Sequence, residues 1–239
     1  MRQIILDTET TGLEVERGHR IIEIGCVELV NRRPTGRHLH HYVNPDREID
    51  AGAAAVHGIT LAKLADKPRF HEIADELLAF VDGAELVIHN ASFDIGFLDY
   101  ELQLLALRRG GVEPIRIRSR CGVLDTLALA RELHPGQRCS LDALCKRYMV
   151  DNSKRDLHGA LLDARILGEV YLAMTGGQNV LALDEVARGS LFDASVGIEV
   201  ARPRERLPVI LPTEEENAAH DRLMAAVAKA SGGKAIWGS

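Results

Sequence analysis

Through about its first 175 residues the chain alternates short, wholly apolar runs with longer stretches in which apolar residues recur every three or four positions. Only an interleaved arrangement of strands and helices buries both patterns, so the sequence predicts an α/β domain. Ile4-Ile5-Leu6 reads as a buried strand, Ile21–Val30 as a second, residues 38–43 as a third ahead of the turn at Asn44-Pro45-Asp46, and Glu85–Ile88 as another. The first three, close in sequence, predict a meander. Helical spacing predicts helices over Phe70–Val81 and over about 91–107, 124–132, 140–147 and 159–174. After Thr175-Gly176-Gly177 the periodicity fades and Pro203, Pro208 and Pro212 punctuate the chain, which puts a domain boundary at 177. A last helix follows Thr213, whose capping-box partner is Glu216, and runs to about residue 230 before Gly232-Gly233.

The 239 residues suffice for a sizeable core, and 46% hydrophobic against 27% charged residues is an ordinary soluble balance. No apolar run approaches the roughly 20 residues of a membrane helix, and Met1-Arg2-Gln3 leads straight into the first strand without a secretory leader. A cytoplasmic protein without a membrane partner is expected. Cys26, Cys121, Cys139 and Cys145 form no CxxC pair and read as reduced, packed thiols. A net charge of −6 argues against holding nucleic acid by bulk electrostatics, so any such function needs a local site. Arg108, Arg109, Arg116, Arg118 and Arg120, and the stretch from Arg32 and Arg33 through Arg37, His38, His40 and His41, are basic clusters that read best as solvated surface.

Asp7 and Glu9 flank Thr8 at the end of the first strand, and the two-residue period sends both carboxylates to one face. Acids at strand ends often simply face water, so this pair alone decides nothing. Asp94 adds weight, because on a helix it shares a face with Phe97, Leu98, Leu102 and Leu105. Asp163 repeats the pattern ahead of Ile166, Leu167 and Val170. A buried charge is costly unless it meets a cation, a proton or a dense set of hydrogen bonds. For one such acid, backbone donors or an arginine suffice; for four in one domain, a shared divalent cation is the economical explanation. An all-carboxylate set suits Mg²⁺ or Mn²⁺, whereas zinc would recruit His or Cys. Two such ions about 3.5–4 Å apart can serve phosphodiester cleavage, and they invert the sign of an acidic site.

The remaining need is a base. His158 precedes Asp163 by five residues, too far around a helix for the two to converge, so it belongs in the loop closed by Gly159. From there its imidazole can take the proton of an attacking water, a task that suits a pKa near neutrality.

The runs DTETTGL at 7–13, HNASFDIGF at 89–97 and HGALLDA at 158–164 resemble, in order, the three motifs of the DEDD exonuclease superfamily, histidine subtype. The resemblance covers about residues 1–180 and implies a ribonuclease-H-like fold, a mixed five-stranded sheet flanked by helices. It also implies 3′→5′ removal of single nucleotides from a DNA end with two Mg²⁺ (or Mn²⁺). In that scheme Asp7 bridges both ions, Glu9 and Asp163 complete the first, Asp94 supports the second, and His158 is the general base. Thr10, Thr11, Gly12 and Leu13 match the part that holds the terminal nucleotide, and Val56, His57, His89 and Phe93 are similar to the other contacts of that pocket.

Beyond the domain, Gln178, Leu181 and Leu183 in the segment 178–183 resemble a sliding-clamp-binding peptide, with Ser190-Leu191-Phe192 as a rival. The segment 207–239 resembles the tail by which proofreading exonucleases bind their polymerase. Leu223, Met224, Val227 and Trp237 have little nearby core to join, so a partner surface is their natural home unless the tail folds back on its own domain. The expected organisation is an exonuclease domain at 1–177, a linker at 178–206 and a polymerase-binding tail at 207–239. Two other functions stand beside proofreading: an RNA-trimming exoribonuclease of the same superfamily, and a structural adaptor between polymerase and clamp with an inert nuclease. The tail argues against the first, and the five catalytic residue types argue against the second.

Overall fold

A computed structural model describes residues 1–153, 155, 157–176 and 212–231. Five strands, β1 (Arg2–Thr10), β2 (Ile21–Val30), β3 (Arg33–Tyr42), β4 (Glu85–Ile88) and β5 (Gly122–Asp125), form one sheet in the order β3-β2-β1-β4-β5. The meander β1-β2-β3 is antiparallel, whereas β4 and β5 run parallel to β1. This is the mixed five-stranded, ribonuclease-H-like sheet that the motifs imply.

The helices are α1 (Ala51–His57), α2 (Leu61–Leu64), α3 (Phe70–Val81), α4 (Ala91–Arg108), α5 (Thr126–Leu133), α6 (Leu141–Tyr148), α7 (Ala160–Thr175) and α8 (Glu214–Ala230). Alternation along β1 splits the core in two. Ile4 and Leu6 pack with Phe70, Leu77, Phe97 and Leu98 of α3 and α4. Ile5 points the other way, toward Leu144, Leu167 and Val170 of α6 and α7. Because β1 is covered on both faces, its run is apolar without interruption until Asp7.

Several elements differ from the sequence expectation. The helix expected over 124–132 begins at Thr126, because Leu124 and Asp125 belong to β5. Asp125 caps the helix, its Oδ1 accepting from the backbone of Leu127 and Ala128 at 2.9 and 3.3 Å. β3 starts at Arg33, five residues before the expected 38. Its pairing begins at once, since Asn31 and Arg32 both adopt positive φ, the twist a two-residue hairpin needs. Helices α1 and α2 were not foreseen; α1, AGAAAVH, has too few large apolar residues to show a period.

Two ionic features bear on the rest. Glu101, inside the apolar face of α4, is 1% exposed and accepts from Arg20 Nε and Nη2 at 2.7 Å each. The basic clusters are largely tied to acids: Arg109 to Asp75, Arg120 to Asp82, Arg37 to Glu28 and His40 to Glu23. All four cysteines are free and buried.

The chain divides into two units, Met1–Ser195 and Val196–Ser239. In the second, α8 opens with the expected capping box: Thr213 Oγ1 accepts from Glu216 N, and Glu216 Oε2 accepts from Thr213 N at 2.8 Å. Leu223 and Val227 are exposed on it and Met224 is half-buried. Gln178, Leu181, Leu183, Ser190-Leu191-Phe192 and Trp237 lie outside the described residues, as does most of the expected linker. Among the described residues no helix is long and apolar enough to cross a membrane.

Gly25 sets how close α7 comes to the sheet, because a Cβ there would run into the backbone of Ala160 and Leu161. Gly25→Ala is expected to push the start of α7 outward and to lower stability by about 1–3 kcal/mol, as overpacking does. Denaturant unfolding of the two proteins checks this.

Candidate active site

β1 pairs with β4 only at Gln3, Ile4 and Ile5, while its ladder with β2 continues to Thr10. Past Ile5 the strand therefore borders an open crevice at the end of the parallel half of the sheet, where α/β folds place their ligands. Asp7 and Glu9 stand on that stretch. The chain leaves β4 at Ile88, turns through Asn90 at φ 67°, and starts α4 with Asp94 in its first turn. Asp163 likewise occupies the first turn of α7. Both carboxylates sit at the positive end of a helix dipole, which favours them there. Asp7, Glu9, Asp94, Asp163 and His158 all line one cleft of about 560 Å³.

The acids are compensated unequally. Asp94, 3% exposed, accepts from Thr8 Oγ1 at 2.6 Å. Asp163, 2% exposed, receives Arg155 Nε at 2.5 Å and Nη2 at 2.8 Å. The plainer alternative considered for a single acid, a carboxylate held by an arginine, is thus realised at Asp163. Asp7 and Glu9 receive no hydrogen bond or ion pair among the described residues. Burial, then the neighbouring Asp163, Glu23 and Asp94, push the Glu9 carboxyl up to about 8. Burial pushes Asp94 up to about 7, with Thr8 pulling against it. Burial and then Asp94, Asp163 and Glu9 raise Asp7 well above the usual carboxylate range.

Four carboxylates face one guanidinium, so the cluster holds surplus negative charge that a cation would relieve. The ligand atoms of Glu9, His158 and Asp163 lie within 4.8 Å of one another. Oxygen donors with two acids lacking any other partner fit a hard divalent cation.

His158 lies in the loop before the α7 cap, Gly159, as expected. Its backbone N donates to Val56 O at 3.2 Å, tying the loop to α1. Its Nδ1 is 3.2 Å from Asp163 Oδ2 and accepts from Arg155 Nη2 at 2.9 Å. Arg155 Nη1 also donates to Asp142 at 2.6 Å.

A second cleft of about 480 Å³ is lined by Thr10, Gly12, Leu13, Val56 and His57 and shares Thr8, Glu9 and Phe93 with the first. Thr10 Oγ1 donates to Gly12 O at 2.7 Å, which shapes the loop. Leu13 and Val56 are exposed apolar side chains at the rim. His57 Nδ1 accepts from Ile59 N at 3.0 Å, leaving its proton on Nε2. His89 Nδ1 lies 3.0 Å from Thr126 Oγ1, which spends its own proton on Ile88 O, so His89 donates there. Thr11 is fully buried below the loop, where Arg20 N donates to its hydroxyl at 3.0 Å.

Sequence reasoning missed Arg155 and His19. His19 is 4% exposed, lies 3.0 Å from Thr11 Oγ1 and 3.4 Å from Asp50 Oδ2, and fills the space a Cβ on Gly12 would need. Neither residue belongs to a periodic pattern or to an acid cluster, so no signal set them apart from ordinary polar positions.

Comparison with known proteins agrees with this geometry. The exonuclease family matches residues 4–171. The DNA polymerase III subunit epsilon of Escherichia coli strain K12 is 51% identical over 241 residues, 99% of this chain and 97% of that protein. Its counterpart in Haemophilus influenzae is 47% identical, over 99% of this chain and 94% of the relative. Among solved structures, exonuclease X in complex with 5′ overhanging duplex DNA aligns with a TM-score of 0.54 at 30% identity, covering 73% of this chain and 91% of that one. Exonuclease I aligns with a TM-score of 0.59 at 17% identity over 73% of this chain and 41% of that one, a likeness of fold.

The raised carboxyls carry a pH signature. A carboxyl whose folded pKa lies above its unfolded value stabilises the fold fully below the unfolded value, and that contribution is lost as pH rises through the folded one. With chelator present, the melting temperature is therefore expected to fall between about pH 4.5 and pH 8, the interval over which Glu9 is shifted. Divalent cation should largely abolish the decline, and calorimetric melts across that range check both.

Proposed function

The chain belongs to the exonuclease family together with the epsilon subunits of DNA polymerase III, and from that we propose that it is the proofreading exonuclease of a replicative DNA polymerase. It is a 3′→5′ exonuclease. Its substrate is the 3′ end of DNA, from which it removes mispaired nucleotides one at a time. The observation that carries the reading is the meeting of Asp7, Glu9, Asp94 and Asp163 where two clefts join.

The family uses divalent metal ions, here two Mg²⁺ (or Mn²⁺), held by Asp7, Glu9, Asp94 and Asp163. Once bound, such ions offset the charge of the scissile phosphate and of the leaving oxygen and make water acidic enough to attack.

The chain's own side chains do the rest. Thr10, Gly12 and Leu13, with Val56, His57 and Phe93, hold the terminal nucleotide in the second cleft, and Thr11, expected among these contacts, is buried beneath the loop and supports it from below. His89 borders the path of the strand in the first. His158 Nδ1 takes the proton of the attacking water, and Asp163 Oδ2, 3.2 Å away, stabilises the imidazolium that results. Because Arg155 now donates to that nitrogen at 2.9 Å, the transfer requires this bond to open, while Nη1 keeps its hold on Asp142.

The polymerase partner is taken up through the C-terminal tail by Leu223, Met224, Val227 and Trp237, and the exposed apolar side chains of Leu223 and Val227 on α8 support this. The segment 178–183, with Gln178, Leu181 and Leu183, docks on a sliding clamp in the cytoplasm. RNA trimming and an inert adaptor are less favoured, given relatives at 47–51% identity that are epsilon subunits of DNA polymerase III.

Asp7→Asn separates function from fold. Cleavage of an end-labelled DNA strand with Mg²⁺ is expected to disappear, while the melting temperature in chelator rises by roughly 2–4 °C for each kcal/mol of repulsion relieved. His158→Ala should lower the rate by about 10²–10⁴-fold. Wild-type trimming rates in the Asp7 variant would refute the site.

A further inference from the structure

The first cleft continues beyond the acids, past Leu127 and Arg131 of α5 to Gln137, Cys139, Ser140 and Asp142. Nothing in the proposed chemistry uses that end. None of these residues lines the pocket of Thr10, Gly12 and His57, and the two clefts share only Thr8, Glu9 and Phe93. If the terminal nucleotide fills the second cleft and its 5′ phosphate rests on the acids, the strand must leave through the first.

Two arginines line that exit, and they differ in what they are free to do. Arg155 is committed to Asp163, Asp142 and His158. Arg131 is exposed and makes no hydrogen bond or ion pair among the described residues. Asp142, which lines the same cleft, and Asp125, which caps α5, are both engaged elsewhere. Asp142 accepts from Arg155 and from Asn152 Nδ2 at 3.1 Å, and Asp125 accepts from the backbone of Asn90, Ala91, Leu127 and Ala128. An unpaired guanidinium on an acidic protein, at the open end of an acid-lined cleft, is suited to a phosphodiester.

We propose that this end of the first cleft is a second nucleotide subsite, in which Arg131 binds the phosphodiester one step 5′ of the scissile bond. The subsite rests on the exonuclease reading above and adds to it a contact outside the reacting atoms. It gives the enzyme a grip on strands longer than one nucleotide, independent of base identity.

The test compares two substrates in the full-length protein with Mg²⁺: a single-stranded oligodeoxynucleotide, and the p-nitrophenyl ester of thymidine 5′-monophosphate, which has a scissile phosphodiester and no phosphate upstream. For Arg131→Ala, the ratio of kcat/KM on the oligonucleotide to that on the ester should fall about tenfold, mostly through KM. The slope of log(kcat/KM) against log salt on the oligonucleotide should shrink by about 0.7, one phosphate contact to a single strand. Arg131→Lys should recover most of both, since charge and not the planar fork is what a phosphate contact needs. An equal loss on both substrates would make Arg131 a support of the acid cluster and overturn the subsite. No loss on either would route the strand elsewhere and overturn it too. A wild-type protein that cleaves neither substrate would instead sink the exonuclease reading, and the subsite with it.

Discussion

Like charges forced together are the condition around which this molecule is arranged. Two carboxylates 4 Å apart at an effective dielectric of 20 repel by about 4 kcal/mol, against a total stability of roughly 5–15 kcal/mol for a domain. No single contact holds four of them in one crevice. The sheet does it with β1 locked between β2 and β4, both faces of that strand buried, and α7 drawn in against Gly25. Helix dipoles favour Asp94 and Asp163, and Thr8 and Arg155 offset part of their charge. Asp7 and Glu9 are left without such help, and this is why the strain concentrates on them.

That concentration has a chemical use. An acid already satisfied by protein donors gains less from a cation than a buried acid without donors does. The cluster is thus graded: Asp94 and Asp163 are anchored, and Asp7 and Glu9 are available. Binding and orientation fall to different walls. The apolar rim of Leu13 and Val56 faces the second cleft, while the polar wall of Arg131, Gln137 and Ser140 belongs to the first. Glu9 stands in both, where a bond to be cut would have a nucleotide on either side.

Much of this was legible in the residues. Strand β2, helix α3 and strand β4 have the expected limits because strong apolar periodicity decides their ends. The four acids stood out because charge on an apolar face or in a converging pair is costly and therefore informative, and His158 stood out through the motif it opens at 158–164. Strand β5 was hidden because its four residues run directly into a helix, and Asp125 reads equally well as the cap it is. Helix α1 was hidden by its alanines. Arg155 and His19 were hidden for a different reason: each meets its partner, Asp163 for one and Gly12 for the other, across a loop at a spacing that no strand or helix period picks out.

The acids come from widely spaced parts of the chain, and the last of them rides on α7, the last helix of the first unit among the described residues. During synthesis the sheet strands and α4 leave the ribosome well before α7 does. A nascent chain that has emerged only as far as α6 holds Asp7, Glu9 and Asp94 but has neither His158 nor Asp163 to set beside them. If the proposed acids do the cutting, hydrolysis has to wait until the closing helix lies down over Gly25.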